Sequence, residues 1–187
     1  MRKNFGPKTL MYPEPVLIIG TYAADGTPNA MNAAWGGLSE ENEISICISA
    51  NHATTKNLLE RKAFTVSFAD TENVAAADYV GIVSGNNEPN KLEKCGWHTE
   101  KAEFVDAPII CELPVAIECK LKSYDENTCR LVGEIVNVCA EEHVLGEDGL
   151  IDLGKFSPII YDGMRHDYRR LGDIVGKAFS EGKKIGK

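Results

Sequence analysis

Apolar runs and turn residues divide the first part of the chain into short strands. Residues 16–22, VLIIGTY, form a short apolar run that is typical of a buried strand. The turn sequence Ala-Asp-Gly follows, and the more polar stretch 27–35, TPNAMNAAW, predicts a second strand that ends at Gly36-Gly37. The strand–turn–strand pattern around Asp25-Gly26 predicts a β-hairpin.

The next segment alternates between apolar and polar positions. In 43–50, EISICISA, the alternation predicts a strand with one apolar and one polar face. The two faces are Ile44, Ile46 and Ile48 on one side and Ser45, Cys47 and Ser49 on the other. Residues 54–62 predict a helix whose apolar contact is Leu58 and Leu59, and 63–69, AFTVSFA, predict the following strand.

The second half contains one more helix, a long loop and a strong hairpin. The Ala-rich stretch 72–85 predicts a helix that ends at Gly85, whereas 86–104 has no period and predicts a long irregular loop. Residues 113–144 predict two strands around an Asp-Glu-Asn turn, and the tail 168–187 predicts loose helix. Because strands dominate and lie in hairpins, we expect a mainly β fold, an antiparallel barrel with interspersed helices.

Composition and charge narrow the class of protein. The 187 residues suit a single domain spanning 1–187, and the net charge of −8 argues against a nucleic-acid surface. No apolar run approaches the length of a membrane span, so we expect no membrane segment and a cytoplasmic location. The six cysteines lack metal-like spacing; we expect free buried thiols, with a metal or redox cysteine pair as the minor alternative.

Small hydrogen-bonding side chains gather where the third strand meets the first helix. The segment 49–57, SANHATTKN, carries Ser49, Asn51, Thr54 and Thr55, with Lys56 beside them. Two interpretations fit. These residue types are preferred helix caps. The free N–H groups of a helix start, together with hydroxyls and a lysine, also suit a phosphate.

The strand 29–37, NAMNAAWGG, has a second pattern that suits a ligand. Small residues at Ala33 and Ala34 would let a flat ring approach the backbone, while Asn32 and Trp35 would bond its edge or stack on it. The alternative is a packed strand with Trp35 as a core aromatic. The chain has no GxGxxG, P-loop or GxSxG sequence, and no side chain is identified as catalytic.

The order of these segments resembles the flavin reductase-like, or flavoredoxin, family of FMN-binding split barrels. The resemblance begins with PEPVLIIGTYAADGTPNAMNAAW and continues with EISICISANHATTKNLLERKAFTVSFAD. It resumes at VSGNNEPNKLEKCGW and ends with GEIVNV and YRRLGDIVGKAFSEGK. Many relatives have Arg or Lys before the Thr pair, where this chain has His52 and Ala53. The fold that the resemblance implies is a Greek-key split barrel that dimerises near the flavin.

The resemblance also implies a set of FMN-binding residues. The isoalloxazine ring would be lined by Asn32, Ala33, Ala34 and Trp35. The phosphate would be held by Ser49, Asn51, Thr54, Thr55 and Lys56. Lys91 would reach the flavin from the long loop, with Ser67 as a weaker candidate. The C-terminal aromatic residues Phe156, Tyr161 and Tyr168 would contact the flavin or a partner subunit, without a placement from sequence.

The activity implied by the resemblance is that of an FMN-dependent oxidoreductase. NADH or NADPH would reduce FMN, which would pass electrons to free flavin, a ferric chelate or a redox partner. Arg165, Arg169 and Arg170 are candidates for recognising the extra phosphate of NADPH. Two alternatives stay open: an FMN electron carrier of the flavoredoxin type that does not use nicotinamide efficiently, and a ligand-binding barrel without enzymatic activity. The expected partners are a second copy of the chain, a nicotinamide nucleotide and an electron acceptor.

Overall fold

The structure is a computed structural model that describes residues 1–185. Its strands are β1 Glu14–Pro15, β2 Leu17–Tyr22, β3 Pro28–Ala33, β4 Gly36–Glu40, β5 Glu43–Cys47, β6 Ala63–Phe68, β7 Thr99–Lys101, β8 Pro108–Ile110, β9 Val115–Asp125, β10 Arg130–Ala140, β11 Ile159–Asp162 and β12 Asp167–Arg170. Its α-helices are α1 Ala53–Arg61, α2 Val74–Ile82 and α3 Lys91–Lys94. The mainly β class is therefore confirmed.

One antiparallel sheet of seven strands forms the centre of the molecule. Its order is β3-β2-β6-β9-β10-β5-β4, so β3 and β4 lie at opposite edges. Only Ala34 and Trp35 separate these two strands along the chain. Because three Cα–Cα steps span about 11 Å at most, the sheet must curl until its two edges nearly meet. We call the gap between β3 and β4, spanned by Ala34 and Trp35, the seam.

The inside of the curled sheet is the main hydrophobic core. Alternation places Ile44, Ile46 and Ile48 inside, as predicted, and Phe64 lies against them with no exposed surface. Gly133 of β10 leaves room for this ring, because a Cβ there would lie 2.3 Å from Phe64 Cζ. The strand assignment of β5 and the core face are therefore confirmed.

Helices and a smaller sheet cover the outside of the central sheet. A second core cluster joins α2 and α3 to the sheet through Val16, Ile18, Ala77, Val80 and Leu92. The three strands β1, β11 and β12 form a separate antiparallel sheet, and β7 pairs with β8. Within the described residues no helix has both the length and the apolar character needed to span a bilayer.

Two predicted element boundaries were wrong around the first hairpin. The strand predicted to end at Gly36-Gly37 ends at Ala33, and Gly36 instead begins β4. In the sequence Gly36 indicates the end of a strand, but the structure requires glycine at this position inside the sheet. A Cβ at this position would lie 2.9 Å from Leu17 Cδ1 and 3.1 Å from Ile46 Cγ1, across the curled sheet.

The long loop and the tail also differ from prediction. Residues 86–104 contain α3 and β7, because Lys91 and Leu92 are buried and fix a helical turn there. The segment 168–187, predicted as loose helix, begins instead as strand β12; its one helical turn as far as residue 185 is a 3-10 helix at Glu181–Lys184. Ile174, Val175 and Phe179 are exposed, so the tail lacks the packed apolar face that stabilises a short helix. The last two residues of that prediction lie outside the described part.

The prediction of buried thiols is correct for only some of the six cysteines. Cys119 is buried in the core, whereas Cys47 and Cys111 are exposed. Cys47 is exposed because it alternates with the inward-facing Ile46 and Ile48 on β5. All six cysteines are free.

Candidate functional site

The start of α1 leaves three backbone N–H groups without partners. His52 is the N-cap residue, and its side chain makes no capping hydrogen bond. Among residues 1–185, none accepts a hydrogen bond from the N–H groups of Ala53, Thr54 or Thr55. The helix therefore has no side-chain cap, and its free donors suit an external anion.

The two threonine hydroxyls are used within the protein. Thr55 Oγ1 donates to the Ser49 carbonyl at 2.7 Å, and Thr54 Oγ1 accepts from Asn29 Nδ2 at 2.8 Å. Both side chains are buried, whereas Ser49, Asn51 and Lys56 are exposed. The hydroxyls thus fix the turn before α1 and the position of its first N–H groups. Direct contacts to an anion would come from those N–H groups and from Lys56.

A cavity of about 190 Å³ lies beside this helix start, and we call it the α1 pocket. Its wall includes Asn29, Ala53, Lys56, Asn57, Gly85 and Asn86. Asn86 Nδ2 donates to the Asn51 carbonyl at 3.1 Å and so joins the loop after α2 to the turn before α1. A Cβ at Gly85 would lie 2.3 Å from Asn29 Oδ1 and 3.2 Å from Ala53 Cβ, so this close approach requires glycine.

Asn29 supplies an unused hydrogen-bonding atom at the α1 pocket. Its Oδ1 is buried and has no partner among the described residues. A buried polar atom of this kind normally has a partner, in the protein or in a ligand. A phosphate that carries a hydroxylated chain fits this set, because the helix N–H groups would bind the phosphate oxygens and the Asn29 amide would bond a hydroxyl. The residues present therefore fit the FMN side chain predicted from sequence.

The predicted ring-lining residues divide between the two faces of β3. Ala33 faces the core, so only its backbone is available to a ligand. Asn32 and Ala34 face outward into a cavity of about 390 Å³, which we call the Tyr168 cavity. Asn32 Nδ2 donates to the Ala77 carbonyl of α2 at 3.1 Å, and Gly81 lets α2 approach Asn32 closely.

Aromatic residues of the small sheet form the opposite wall of the Tyr168 cavity. Tyr161 and Tyr168 lie with ring centroids 6.0 Å apart, and Tyr161 Oη lies 2.6 Å from His166 Nδ1. Tyr168 Oη donates to Asp78 at 2.7 Å. Burial and then this carboxylate raise the pKa of Tyr168 far above its ordinary value, so the hydroxyl stays protonated at neutral pH.

Trp35 lies at the seam and is 56% exposed, so it is not the core aromatic of the alternative interpretation. With Ala34, Gly36 and Leu38 it borders a cavity of about 610 Å³. Glu14 also borders this cavity, is only 4% exposed, and has an Oε2 atom without a partner among the described residues. The seam therefore presents aromatic surface and a buried acceptor side by side.

Lys91 is placed differently from the loop lysine expected from sequence. Its side chain is buried, and Nζ donates to the carbonyls of Val80 and Val83 at 3.0 and 2.9 Å, at the C-terminal end of α2. Cations are favourable at this end of a helix. The structure thus uses Lys91 to cap α2 beneath the Gly85 loop, and direct contact with a flavin stays a prediction.

Burial lowers the pKa of Lys91 to about 8, and this has a consequence for stability. Below pH 8 the lysine is charged in both states, so the cost of burying the ammonium is present in full. Between pH 8 and its ordinary pKa of 10.5 the unfolded state binds more protons, so folding becomes more favourable as pH rises. The relevant quantity is the free energy of unfolding of wild type minus that of Lys91→Met. We expect this difference to increase by about 2–3 kcal/mol between pH 8 and 10.5.

Urea unfolding at pH 8.0, 9.0 and 10.5 would measure this difference. Lys94→Met is the matched control, because the Lys94 ammonium lies on the surface and its hydrogen bond to Glu88 raises its pKa. For Lys94 the same difference should not increase with pH. A flat difference for Lys91→Met would contradict the buried, charged capping role.

The remaining candidate residues either lie away from these pockets or have other roles. Ser67 is buried within the central sheet between β2 and β9. Phe156 packs edge-on against Phe68 at a centroid distance of 6.3 Å, which makes it a core residue. Arg169 pairs with Asp162 and Asp167, whereas Arg165 and Arg170 are exposed.

The sequence interpretation missed three residues that the structure brings to the site. Asn29 precedes Thr54 by 25 positions, and only the folded sheet brings them together. Asp78 lies on α2 and His166 in the turn between β11 and β12, so no local pattern joined either to β3. For Asn29 the sequence did offer one signal, because this residue belongs to NAMNAAW, the strand already predicted to suit a ligand.

Comparisons with known proteins find relatives along most of the chain. The flavoredoxin of Desulfovibrio vulgaris (Miyazaki F) is 40% identical, with 97% of this chain and 100% of that chain covered and a TM-score of 0.93. A flavoredoxin from Methanosarcina acetivorans is 25% identical, covers 99% of each chain and has a TM-score of 0.89. An FMN-binding domain of a flavin reductase-like enzyme from Shewanella baltica, at 17% identity, covers 88% of this chain and 89% of that chain with a TM-score of 0.75 and shows the fold alone.

These similarities confirm the split-barrel fold predicted from the sequence. The predicted dimer stays a prediction. Residues 9–169 match the family described as flavin reductase like domain, which is most of the chain. The chain belongs to the flavin reductase-like domain family.

Proposed function

We propose that the protein binds FMN, with the phosphate at the start of α1 and the ring beside β3. The observation that carries this proposal is the set of unpaired N–H groups of Ala53, Thr54 and Thr55 at the start of α1, where Ala53 lines the α1 pocket. The pocket also offers Lys56 as a counter-charge and the buried Asn29 amide as a partner for the ribityl chain. An uncapped helix start next to a charged, preformed cavity is favourable for a phosphate.

The ring would lie along the outward face of β3, toward the seam. Asn32 and Ala34 border the Tyr168 cavity, and Ala34 and Trp35 border the neighbouring cavity at the seam. The small side chain of Ala34 permits close approach to the backbone, whose N–H and C=O groups would bond the ring edge. Trp35 offers a flat exposed face for stacking, and such aromatic pairs contribute about 0.5–1.5 kcal/mol beyond burial.

We further propose that the protein is an oxidoreductase that uses NADH or NADPH as electron donor. When bound, FMN supplies the capacity to accept a hydride and to pass electrons on. Membership of the flavin reductase-like family supports this reading. The chain's own residues would orient the ring and limit water at one face. Tyr168 would stay neutral beside it, with its hydroxyl held by Asp78. Free flavin, a ferric chelate or a redox protein would be the electron acceptor.

A second candidate function is a one-cofactor electron carrier. The 40% identity to a flavoredoxin along the full length favours it. The net charge of −8 would help the protein to dock onto a basic redox partner. In this case FMN would stay bound, and reduction by nicotinamide nucleotides would be slow.

A homodimer is part of the proposal. Trp35, Leu38 and Met11 expose apolar surface around the cavity at the seam, next to the unpartnered Glu14 oxygen. A second copy seated here would bury that surface and provide a donor for Glu14. Measuring the molar mass by light scattering would test this directly, and a monomer at micromolar concentration would contradict it.

The visible spectrum of FMN-loaded protein distinguishes the candidates. Under anaerobic conditions we expect the flavin absorption to bleach within seconds after addition of NADH or NADPH, and the faster donor identifies the preferred nucleotide. Slow bleaching with both nucleotides, alongside fast reduction by a reduced redox protein, would support the electron carrier. Protein that cannot retain FMN after dialysis would overturn the proposal and leave a ligand-binding barrel without flavin.

A further inference from the structure

Two cysteines outside the proposed flavin pockets lie on neighbouring strands. Cys47 is the last residue of β5, and Cys129 directly precedes β10. In the β5–β10 ladder Cys47 is the partner of Arg130, and the next backbone hydrogen bond joins the Ile48 N–H to the Cys129 carbonyl at 2.9 Å. Directly opposite residues of antiparallel strands have Cα atoms about 4.5–5.5 Å apart, and one step along a strand adds about 3.3 Å. Cys47 and Cys129 are offset by one residue, so their Cα atoms lie on the order of 6 Å apart, in the upper part of the disulfide range of roughly 4.4–6.8 Å.

The local backbone turns both sulfur atoms toward the same loop. In a regular pleat Cys129 would share the inward face of Ile48, opposite to Cys47. Cys129 instead has a left-handed φ of 56°, which breaks the alternation. Cys47 Sγ lies 4.0 Å from the Thr128 carbonyl oxygen, and Cys129 Sγ lies 3.8 Å from that of Glu126.

Tyr124 shows that the two thiols share one environment. Its hydroxyl donates to the Ile48 carbonyl at 2.9 Å. Burial raises the pKa of Tyr124, and the neighbouring Cys129 and, more weakly, Cys47 add to the increase. Both cysteines therefore lie in the surroundings of this hydroxyl, and Cys47 is exposed to solvent.

The other four cysteines are less suited to oxidation. Burial raises the pKa of the thiols of Cys95, Cys111, Cys119 and Cys139, reaching about 12 for Cys119. A raised pKa lowers the fraction of thiolate, which is the reactive form. Cys111 is exposed like Cys47 but lacks a comparable neighbouring cysteine on the paired strand, and it serves as a control.

We propose that Cys47 and Cys129 form a redox-responsive thiol pair, which hydrogen peroxide converts into an intramolecular disulfide. The Cys47 thiolate attacks one oxygen of hydrogen peroxide, the O–O bond breaks and a sulfenic acid forms, while the departing hydroxide takes up a proton and becomes water. The Cys129 thiolate then attacks the Cys47 sulfur, the S–O bond breaks, the S–S bond forms, and the second hydroxide takes up a proton and leaves as water. The two protons are those that the two thiols release when they ionise. Two electrons pass from the two sulfurs to one peroxide, which becomes two water molecules.

The position of this pair links it to the α1 pocket. Ser49, whose carbonyl holds the Thr55 hydroxyl, lies two residues after Cys47. A disulfide would join the turn 125–129 covalently to the strand that leads into this segment. The modification site is independent of whether FMN is bound, so its test does not depend on the proposed function.

Peroxide treatment of the full chain tests the pair. The six free thiols should fall to four, the intact mass should drop by two hydrogens, and a digest should contain a peptide linking Cys47 to Cys129. Dithiothreitol should restore all six. Cys111→Ser should lose two of its thiols in the same way, and neither Cys47→Ser nor Cys129→Ser should form the intramolecular link.

Three results would overturn the proposal. The first is a disulfide between protein molecules, seen as a dimer in non-reducing electrophoresis. The second is oxidation of Cys47 that stops at sulfinic acid. The third is the absence of a Cys47–Cys129 link in folded wild-type protein while Cys129→Ser loses thiols at the wild-type rate. Circular dichroism of each serine variant controls for folding. If a serine variant unfolds, the test rests on the wild-type protein, in which the linked peptide is either found or absent.

Discussion

Ala53→Glu should weaken FMN binding by about 10- to 100-fold. The change places a carboxylate in the first turn of α1, at the wall of the α1 pocket, where the phosphate is proposed to bind. Loss of charged hydrogen bonds costs about 1.5–3 kcal/mol, and about 1.4 kcal/mol is tenfold in affinity. An acidic side chain in the first turn favours the helix itself. The variant should therefore fold normally while binding FMN poorly.

Fluorescence titration with FMN at fixed ionic strength would measure the dissociation constant. Ala53→Gln is the control of similar size without charge, and it should bind FMN within a few-fold of wild type. Riboflavin, which lacks the phosphate, should bind both variants equally. Equal loss of FMN and riboflavin binding in Ala53→Glu would show that the helix start does not hold the phosphate.

Phe64→Ala should lower the free energy of unfolding by about 3–5 kcal/mol. Phe64 is completely buried in the core of the curled sheet, and its ring fills the space that Gly133 leaves open on β10. Truncation removes buried apolar surface and leaves a cavity between β6 and β10 that backbone hydrogen bonds prevent from collapsing. Urea unfolding followed by circular dichroism would measure the change.

Phe104→Ala is the matched control for this core truncation. The Phe104 side chain is 53% exposed, so its loss should cost less than about 1 kcal/mol. A change below about 1.5 kcal/mol for Phe64→Ala would mean that the core repacks around the gap. It would also contradict the close contact between Phe64 and Gly133.

Local signals in the sequence were sufficient for the elements that depend on local contacts. The β9–β10 hairpin, the alternation of β5 and the helix α1 each have a period or a turn within a short window. The strand β4 lacked such a signal, because Gly36 is required by Leu17 and Ile46, which are distant in sequence. The α-helix predicted for the tail was wrong for a different reason. The local pattern there is helical, but the fold offers no surface on which such a helix could pack.

The sequence pointed to the candidate site but not to how its side chains are used. Phosphate binding at 49–57 stays a prediction, and the Thr54 and Thr55 hydroxyls expected to contact it bond within the protein. Their partners, Asn29 and the Ser49 carbonyl, depend on how β3 and the β5–α1 turn meet in three dimensions. Lys91 was likewise expected to reach a flavin from an irregular loop, and only the packing of α3 places its Nζ at the end of α2.

The seam has a consequence for the solubility of the protein. Within the described residues β3 pairs only with β2, and β4 pairs only with β5, so each strand leaves one row of backbone N–H and C=O groups unpaired. Open strand edges of this kind are templates on which other chains can add, which leads to aggregates. A flat ligand at the seam would shield both edges at once. The cofactor would then also protect these edges against strand-by-strand aggregation, and protein stored without flavin should precipitate before FMN-loaded protein.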